Sequence, residues 1–126
     1  QPYVNVCTDG LLGGKPHPRA YGTYPRILGR YVREQNLLSL PEAVRKMSGL
    51  AAETFQLRGY GKIEDGAVAN LVVFNPHQVI DRATFEESRQ FPEGIEHVIV
   101  AGVPAIRYGE SYLPKHGKAV RRAETE

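Results

Sequence analysis

Apolar residues recur with helical spacing in the first half of the chain. The positions that fall three or four residues apart, as on one face of a helix, are Tyr24, Ile27, Leu28, Tyr31 and Val32. This pattern predicts a helix with Thr23 as its N-cap and Pro25 in its first turn, where a missing N–H is tolerated.

A second helix is predicted to begin at residues 39–42, which read Ser-Leu-Pro-Glu. In such a capping box the serine side chain accepts a hydrogen bond from a backbone N–H near the glutamate, and the glutamate reaches back to the start of the helix. Val44 and Met47 continue the apolar face and Gly49 ends it, and a shorter helix is expected over residues 50–55.

After residue 61 the pattern becomes that of β-strands. Residues 71–74 and 97–100 are continuous apolar runs, and Ala101-Gly102 links the second run to residues 103–107. Two residues between strand-like runs predict a hairpin in which the glycine takes positive φ. Because the proline at position 104 cannot donate to a strand ladder, we expect its strand to lie at a sheet edge.

The first residues predict a short strand that ends beside an acidic group. Residues 2–7 are rich in β-branched and aromatic side chains, Asp9 follows, and the loop over residues 10–22 holds four glycines and two prolines. One strand followed by helices cannot bury its own faces, because a parallel strand needs neighbours in a sheet. We therefore expect an α/β plus β fold, in which residues 1–58 are the last β/α unit of a barrel whose earlier units are absent and residues 59–114 form a second, β-rich layer.

Composition limits the class of protein. The 126 residues have the apolar and charged content of a globular protein, and their apolar runs are too short to span a membrane. The single cysteine, Cys7, rules out an internal disulfide and a cysteine-based structural zinc site, and it favours a reducing, cytoplasmic compartment. Because the sequence starts at Gln1 without a signal-peptide pattern, we expect it to be part of a longer chain.

The net charge of the chain is +2, and much of the basic excess lies in residues 115–126. Low apolar content there predicts a basic, disordered tail. Specific nucleic-acid binders show a broader basic face, so we expect this tail to be solvated rather than to contact nucleic acid.

Asp9 is the leading candidate for a catalytic group, because parallel α/β enzymes keep catalytic residues at the C-terminal ends of strands. A carboxylate there can take a proton from an attacking water and return it to a leaving nitrogen. Asp-Gly pairs also commonly cap backbone N–H groups of their own loop, and position alone does not separate the two roles.

The motif His17-Pro18-Arg19 is the second candidate. Prolines restrict its backbone, which suits an arginine fork held in one direction for bidentate carboxylate recognition. A surface arginine paired with a nearby acid is an equally good interpretation. A metal site made by Cys7, Asp9 and His17 is a weaker alternative, because three ligands in a flexible stretch are a poor signal.

Several blocks of the sequence resemble the N-acyl-D-amino-acid deacylases, or D-aminoacylases, of the metal-dependent amidohydrolase superfamily. The blocks are Thr-Asp-Gly at residues 8–10, His-Pro-Arg-Ala-Tyr-Gly-Thr at residues 17–23, Leu-Pro-Glu-Ala-Val at residues 40–44 and a glycine- and valine-rich run at residues 61–75. The second block is specific to the deacylase branch, whereas the last is shared widely among amidohydrolases. The resemblance covers nearly all of residues 6–108.

The resemblance implies a (β/α)8 TIM-like barrel that holds one or two zinc ions, with residues 1–58 as its last unit. It also implies a small β-sandwich, of which residues 59–114 would be the C-terminal portion. Asp9 matches the family's aspartate at the end of the eighth strand, which acts as general base toward a zinc-bound water and then as acid toward the leaving amine. Arg19 matches the family's arginine for the substrate carboxylate, and His17 is expected to position the loop or to face the substrate. The implied substrate is a small N-acyl-D-amino acid.

The chain departs from the family pattern at three residues and by one absence. Thr8 stands where the family has serine, and Asn70 and Asn75 replace two acids of a sandwich strand. The His-x-His of the first barrel strand and the later metal ligands are not in this sequence. We therefore expect that this chain alone binds no catalytic zinc and is inactive, and that an exposed apolar face at residues 24–32 favours self-association.

Two alternatives remain open at this point. A hydantoinase- or dihydroorotase-like cyclic amidase belongs to the same superfamily, but the block at residues 17–23 weighs against it. A stand-alone, non-catalytic interaction module that kept the sandwich and helices is the other. A cut barrel predicts that Asp9 is exposed at the end of an unpaired strand, whereas a self-contained module predicts that it is buried in a completed sheet.

Overall fold

Helices occupy the first half of the chain and a sheet occupies the second. The computed structural model describes residues 1–112 and 116–122. The elements are α1 (Arg19–Arg26), a π-helical segment (Ile27–Glu34), α2 (Leu40–Met47), α3 (Gly49–Phe55), β1 (Leu71–Phe74), β2 (Ile95–Val100), β3 (Val103–Arg107) and β4 (Glu110–Ser111). The order of helices and strands predicted from the hydrophobic pattern is confirmed from α1 to β3. The strand predicted at the N-terminus is not formed, and β4 was not predicted.

The first helix begins earlier than predicted. Pro18 occupies its N-cap position with φ of −50°, and the backbone N–H of Gly22 donates to the Pro18 carbonyl at 2.9 Å. Thr23, the predicted N-cap, instead lies inside α1, where its hydroxyl donates to the Arg19 carbonyl at 2.8 Å. The proline ring already holds φ near the helical value, which favours a helix start at this position.

The helix changes its hydrogen-bond spacing after Pro25, which lies inside α1 rather than in its first turn. Because proline has no N–H, one bond of the α-helical ladder is missing there. From Ile27 the chain continues as a π-helix, whose bonds span five residues, as from the Gln35 N–H to the Arg30 carbonyl at 2.9 Å.

The serine half of the predicted capping box is confirmed at the start of α2. Ser39 Oγ accepts from the Glu42 N–H at 3.3 Å, and Pro41 lies in the first turn, where proline is tolerated. The helix ends at Met47, and α3 follows after Ser48 and ends at Phe55. Its C-cap residue, Gln56, takes the left-handed conformation with φ of 55°.

The four strands form one antiparallel sheet in the order β1-β2-β3-β4. The predicted hairpin is confirmed: Ala101 and Gly102 have φ of 50° and 81°, as a type I′ turn requires. The edge position predicted for the strand of Pro104 is wrong, because β4 pairs with the far end of β3. Pro104 is tolerated because it faces Ile99 beside a β-bulge of β3, in which Ala105 has no partner in β2.

The strand predicted over residues 2–7 is not formed. This segment begins with a turn, in which the Val4 N–H donates to the Gln1 carbonyl at 3.3 Å. It is held to α2 by hydrogen bonds from the Val6 N–H to the Lys46 carbonyl at 3.2 Å and from Lys46 Nζ to the Val4 carbonyl at 3.2 Å. Within the described residues no strand runs beside it, so a ladder of paired N–H and C=O groups cannot form. The N-terminus therefore rests against α2 as an irregular segment.

A small core joins the helices to the sheet. Leu28, Ala43 and Val79 are buried at its centre, and the last of these belongs to the loop after β1. At Gly29 a Cβ atom would lie 2.4 Å from the Val79 carbonyl oxygen, so the π-helical segment approaches this loop at backbone distance. Tyr24 and Tyr31 remain 39% and 37% exposed, so the apolar face predicted at residues 24–32 is only partly exposed.

Part of the predicted tail is described. Residues 116–122 are exposed and form neither helix nor strand, and Arg122 Nε donates to Gln56 Oε1 at 2.7 Å, just beyond α3. Residues 113–115 and 123–126 lie outside the described residues, and with them the rest of that prediction.

Candidate functional site

Asp9 follows the irregular N-terminal segment. It takes the left-handed conformation with φ of 46°, which aspartate tolerates better than most residues, and its side chain is 82% exposed. The hydroxyl of Thr8, rather than the Asp9 carboxylate, accepts the N–H of Gly10 at 3.3 Å. The local turn is thus closed by Thr8, which leaves the Asp9 carboxylate available for other contacts.

The other contact is with Arg19, the first residue of α1. Arg19 Nη2 lies 3.0 Å from Asp9 Oδ2, and the arginine side chain is 45% exposed. Sequence reasoning selected these residues for separate reasons, and the fold brings them together across the glycine-rich loop. An ion pair this exposed adds little stability, so its interest lies in the chemistry of the two groups.

His17 faces the start of α1. Its Nδ1 accepts the backbone N–H of Arg19 at 3.0 Å, which satisfies one of the free donors at the helix N-terminus. Its ring meets the ring of Phe85 edge-on, with centroids 4.9 Å apart. These contacts fix the direction of the imidazole beside Arg19.

A groove of about 430 Å³ opens next to this site. Its floor includes a second ion pair that sequence reasoning missed: Arg26 Nε and Nη2 both donate to Asp81 Oδ2, at 2.9 and 2.7 Å. The Asp81 side chain is only 6% exposed, and it fits because a Cβ at Gly22 would stand 3.0 Å from the Asp81 Cβ. Fifty-five residues separate Arg26 from Asp81, and no local pattern links them.

The hypothetical metal site of Cys7, Asp9 and His17 is not assembled. Across residues 1–112 and 116–122 no three side chains of His, Cys, Asp or Glu come close enough to hold a metal ion. The donor set for zinc is therefore not provided by the described residues.

In the same ranges no helix is long and apolar enough to cross a membrane.

Residues 8–106 match the model of the amidohydrolase family, and the chain belongs to that family. Its relatives from Alcaligenes xylosoxydans xylosoxydans define the branch more closely. It is 49% identical to a D-aminoacylase over 100 residues, which are 79% of this chain and 21% of the relative. It is 48% identical to an N-acyl-D-glutamate deacylase over 120 residues, which are 93% of this chain and 24% of the relative. The chain thus spans a fifth to a quarter of the length of these proteins.

Solved structures give the same result. A crystal structure of D-aminoacylase matches 94% of this chain with a TM-score of 0.90 at 39% identity, and the match covers 25% of that protein. The N-acyl-D-glutamate deacylase of Bordetella bronchiseptica, complexed with zinc and a phosphonate inhibitor that mimics the tetrahedral intermediate, matches with a TM-score of 0.82 at 38% identity, over 97% of this chain and 24% of that one. The resemblance read from the motifs is confirmed.

Proposed function

We propose that this chain is the C-terminal part of a zinc-dependent N-acyl-D-amino-acid deacylase, which cleaves a linear amide to a carboxylate and a free D-amino acid. The observation that carries the proposal is the contact between Asp9 Oδ2 and Arg19 Nη2 at 3.0 Å. It places a group able to transfer protons beside a group able to bind a carboxylate, in a chain 45–49% identical to a D-aminoacylase and two N-acyl-D-amino-acid deacylases.

The two residues have complementary roles in this proposal. Arg19 binds the substrate carboxylate, and Asp9 takes a proton from the attacking water and returns it to the leaving amine. In an N-acyl amino acid the scissile nitrogen and the carboxylate are bonded to the same carbon. A carboxylate held by Arg19 would therefore bring the amide within reach of Asp9. His17 keeps the start of α1, and with it Arg19, in place.

Zinc is the proposed cofactor of the full-length enzyme, and residues outside this chain would hold it. When bound, it polarises the amide carbonyl and lowers the pKa of a water molecule. We propose that the chain alone is inactive, because the described residues contribute proton transfer and carboxylate binding but not the metal ligands.

The proposed frame is a (β/α)8 barrel whose last unit is residues 1–58, followed by the C-terminal portion of a small β-sandwich at residues 59–114. Two observations support it: the exposure of Asp9 and the likeness of 94% of the chain to a quarter of D-aminoacylase. A cytoplasmic location and the absence of nucleic-acid contact stay predictions.

The decisive test uses the full-length polypeptide that carries these residues, with zinc, and compares wild type with Asp9→Asn on N-acetyl-D- and N-acetyl-L-amino acids. We expect D-selective hydrolysis that falls by about 10²–10⁴-fold in the variant, the usual contribution of general acid–base catalysis. Asp65→Asn is the matched control, because Asp65 precedes Gly66 as Asp9 precedes Gly10 but lies in an exposed turn. Its activity should equal that of wild type.

Four results would contradict the proposal. Equal loss in both variants would indicate general destabilisation, and full activity of Asp9→Asn would remove its proposed role. Hydrolysis of hydantoin or dihydroorotate in preference to the linear amides would favour the cyclic amidase. No hydrolysis of any of these substrates would favour the interaction module.

A further inference from the structure

A segment from the β-rich half of the chain contacts the loop that joins Asp9 to α1. We call residues 85–91, which lie between β1 and β2 outside regular structure, the clasp segment. It makes three contacts with the loop and the start of α1. The ring centroids of Phe85 and His17 are 4.9 Å apart, and those of Phe91 and Tyr21 are 6.0 Å apart. Arg89 binds the loop at Gly14.

The clasp segment has its own internal support. The Glu87 N–H donates to Thr84 Oγ1 at 2.9 Å, the Thr84 N–H donates to the Glu87 carbonyl at 3.1 Å, and Ser88 is 4% exposed. The backbone before Arg89 is therefore fixed by a closed turn and a buried side chain. The position of the Arg89 backbone is therefore defined as well.

Arg89 reaches the loop through one nitrogen. Its Nη2 donates to the Gly14 carbonyl at 2.7 Å and to the Leu12 carbonyl at 3.3 Å. A charged donor makes stronger hydrogen bonds than a neutral one, and a single nitrogen shared by two carbonyls holds them at a fixed separation. The loop it holds carries Asp9 at one end and His17 and Arg19 at the other.

We propose that Arg89 is a positioning residue: by closing the turn at residues 12–14 it sets the separation of Asp9 and Arg19. The contribution of Arg89 to catalysis rests on the proposed function of Asp9 and Arg19. Its hydrogen bonds to the loop do not depend on that function. The clasp segment would thus make the geometry of the site depend on the β-rich half of the chain, 75 residues away from the loop in sequence.

The test uses Arg89→Met and Arg89→Lys in the full-length polypeptide, with Arg82→Met as the matched control. Methionine keeps much of the length and removes the donors, whereas the lysine ammonium can still donate to both carbonyls. Arg82 comes from the same stretch of chain, but its guanidinium pairs with Glu93 at the surface. Each variant is taken as folded when its thermal unfolding profile matches that of wild type.

The first readout is independent of activity. Thermolysin cleaves before leucine, and Leu11 and Leu12 are exposed in the loop, so the cleavage rate there reports how often the loop opens. We expect about tenfold faster cleavage in Arg89→Met, the loss expected for hydrogen bonds to a charged group, and near wild-type rates in Arg89→Lys and Arg82→Met. Unchanged cleavage in Arg89→Met, or equal acceleration in Arg82→Met, would overturn the proposal.

The second readout is the hydrolysis of an N-acetyl-D-amino acid. We expect Arg89→Met to lower kcat/KM about tenfold, Arg89→Lys to recover most of the loss, and Arg82→Met to remain within twofold of wild type. Faster cleavage with unchanged kcat/KM would overturn the positioning role. If wild type hydrolyses none of the substrates, the proposed function fails, and the cleavage rates still decide whether Arg89 holds the loop.

Discussion

Two glycines, which carry no side chain, allow the helices to approach the loop after β1 closely. Gly29 allows backbone contact with Val79, and Gly22 leaves room for the buried carboxylate of Asp81. Neither glycine has positive φ, so their role is space rather than backbone freedom. A side chain at either position would have to displace the loop.

Gly29→Ala tests this directly. The added Cβ would lie 2.4 Å from a backbone oxygen, which must shift, and overpacking of this kind costs about 1–3 kcal/mol of the free energy of unfolding. Urea denaturation measures the loss. Gly13→Ala is the matched control, because its Cβ would meet nothing within 4 Å, and it should unfold at the wild-type midpoint. A midpoint unchanged by Gly29→Ala would show that the loop yields without cost.

The elements that were predicted correctly are those that depend on a few neighbouring residues. The N-cap of α2 depends on four consecutive residues, and the hairpin depends on Ala101-Gly102, so both could be recognised without knowledge of the fold. The segment at residues 2–7 has strand-like composition, but a strand also needs a neighbour. Its irregular form could not be predicted from its own residues.

Ser39→Ala should destabilise α2 and with it the core around Ala43. The substitution removes the acceptor for the Glu42 N–H, and the loss of an N-cap typically costs about 1 kcal/mol of unfolding free energy. Urea denaturation again measures the change, and Ser39→Asp should restore most of the stability because its carboxylate accepts the same N–H. Equal stability of the alanine and aspartate variants would show that the cap does not matter here.

At the scale of the molecule, the contacts that assemble the site join distant parts of the chain and could not be predicted from the sequence. Asp9 and Arg19 were both selected from motifs, and their proximity was not. The pairing of Arg26 with Asp81 spans 55 residues and that of Arg89 with Gly14 spans 75, and neither has a local signature. These contacts depend on how helices and loop pack, which only the folded chain reveals.

The Arg26–Asp81 pair should stabilise the whole molecule, because it joins α1 to the loop between β1 and β2. Arg26→Met leaves a carboxylate that is 6% exposed without its donor, which should cost about 1–3 kcal/mol of unfolding free energy. Arg45→Met is the control, because Arg45 and its partner Glu53 are 53% and 51% exposed, and such pairs contribute about 0–1 kcal/mol. Equal losses in the two variants would refute the distinction.

We also expect the isolated chain to self-associate. Tyr3, Leu11, Leu12, Phe55 and Val72 are all more than half exposed, and burying large apolar side chains against another copy would remove them from water. Sedimentation velocity over a range of concentrations should show a rising average mass. A constant monomer mass with cooperative unfolding would contradict both this expectation and the proposed assignment of residues 1–58 to a barrel.

The buried cluster of Leu28, Ala43 and Val79 has a consequence for any attempt to divide the chain. It takes two members from before residue 58 and one from after it, so the predicted boundary passes through a shared interior. A break in the backbone at that boundary would yield two pieces, each lacking part of the cluster. Such pieces should recover their shape on mixing, as complementing fragments, rather than behave as autonomous folding units.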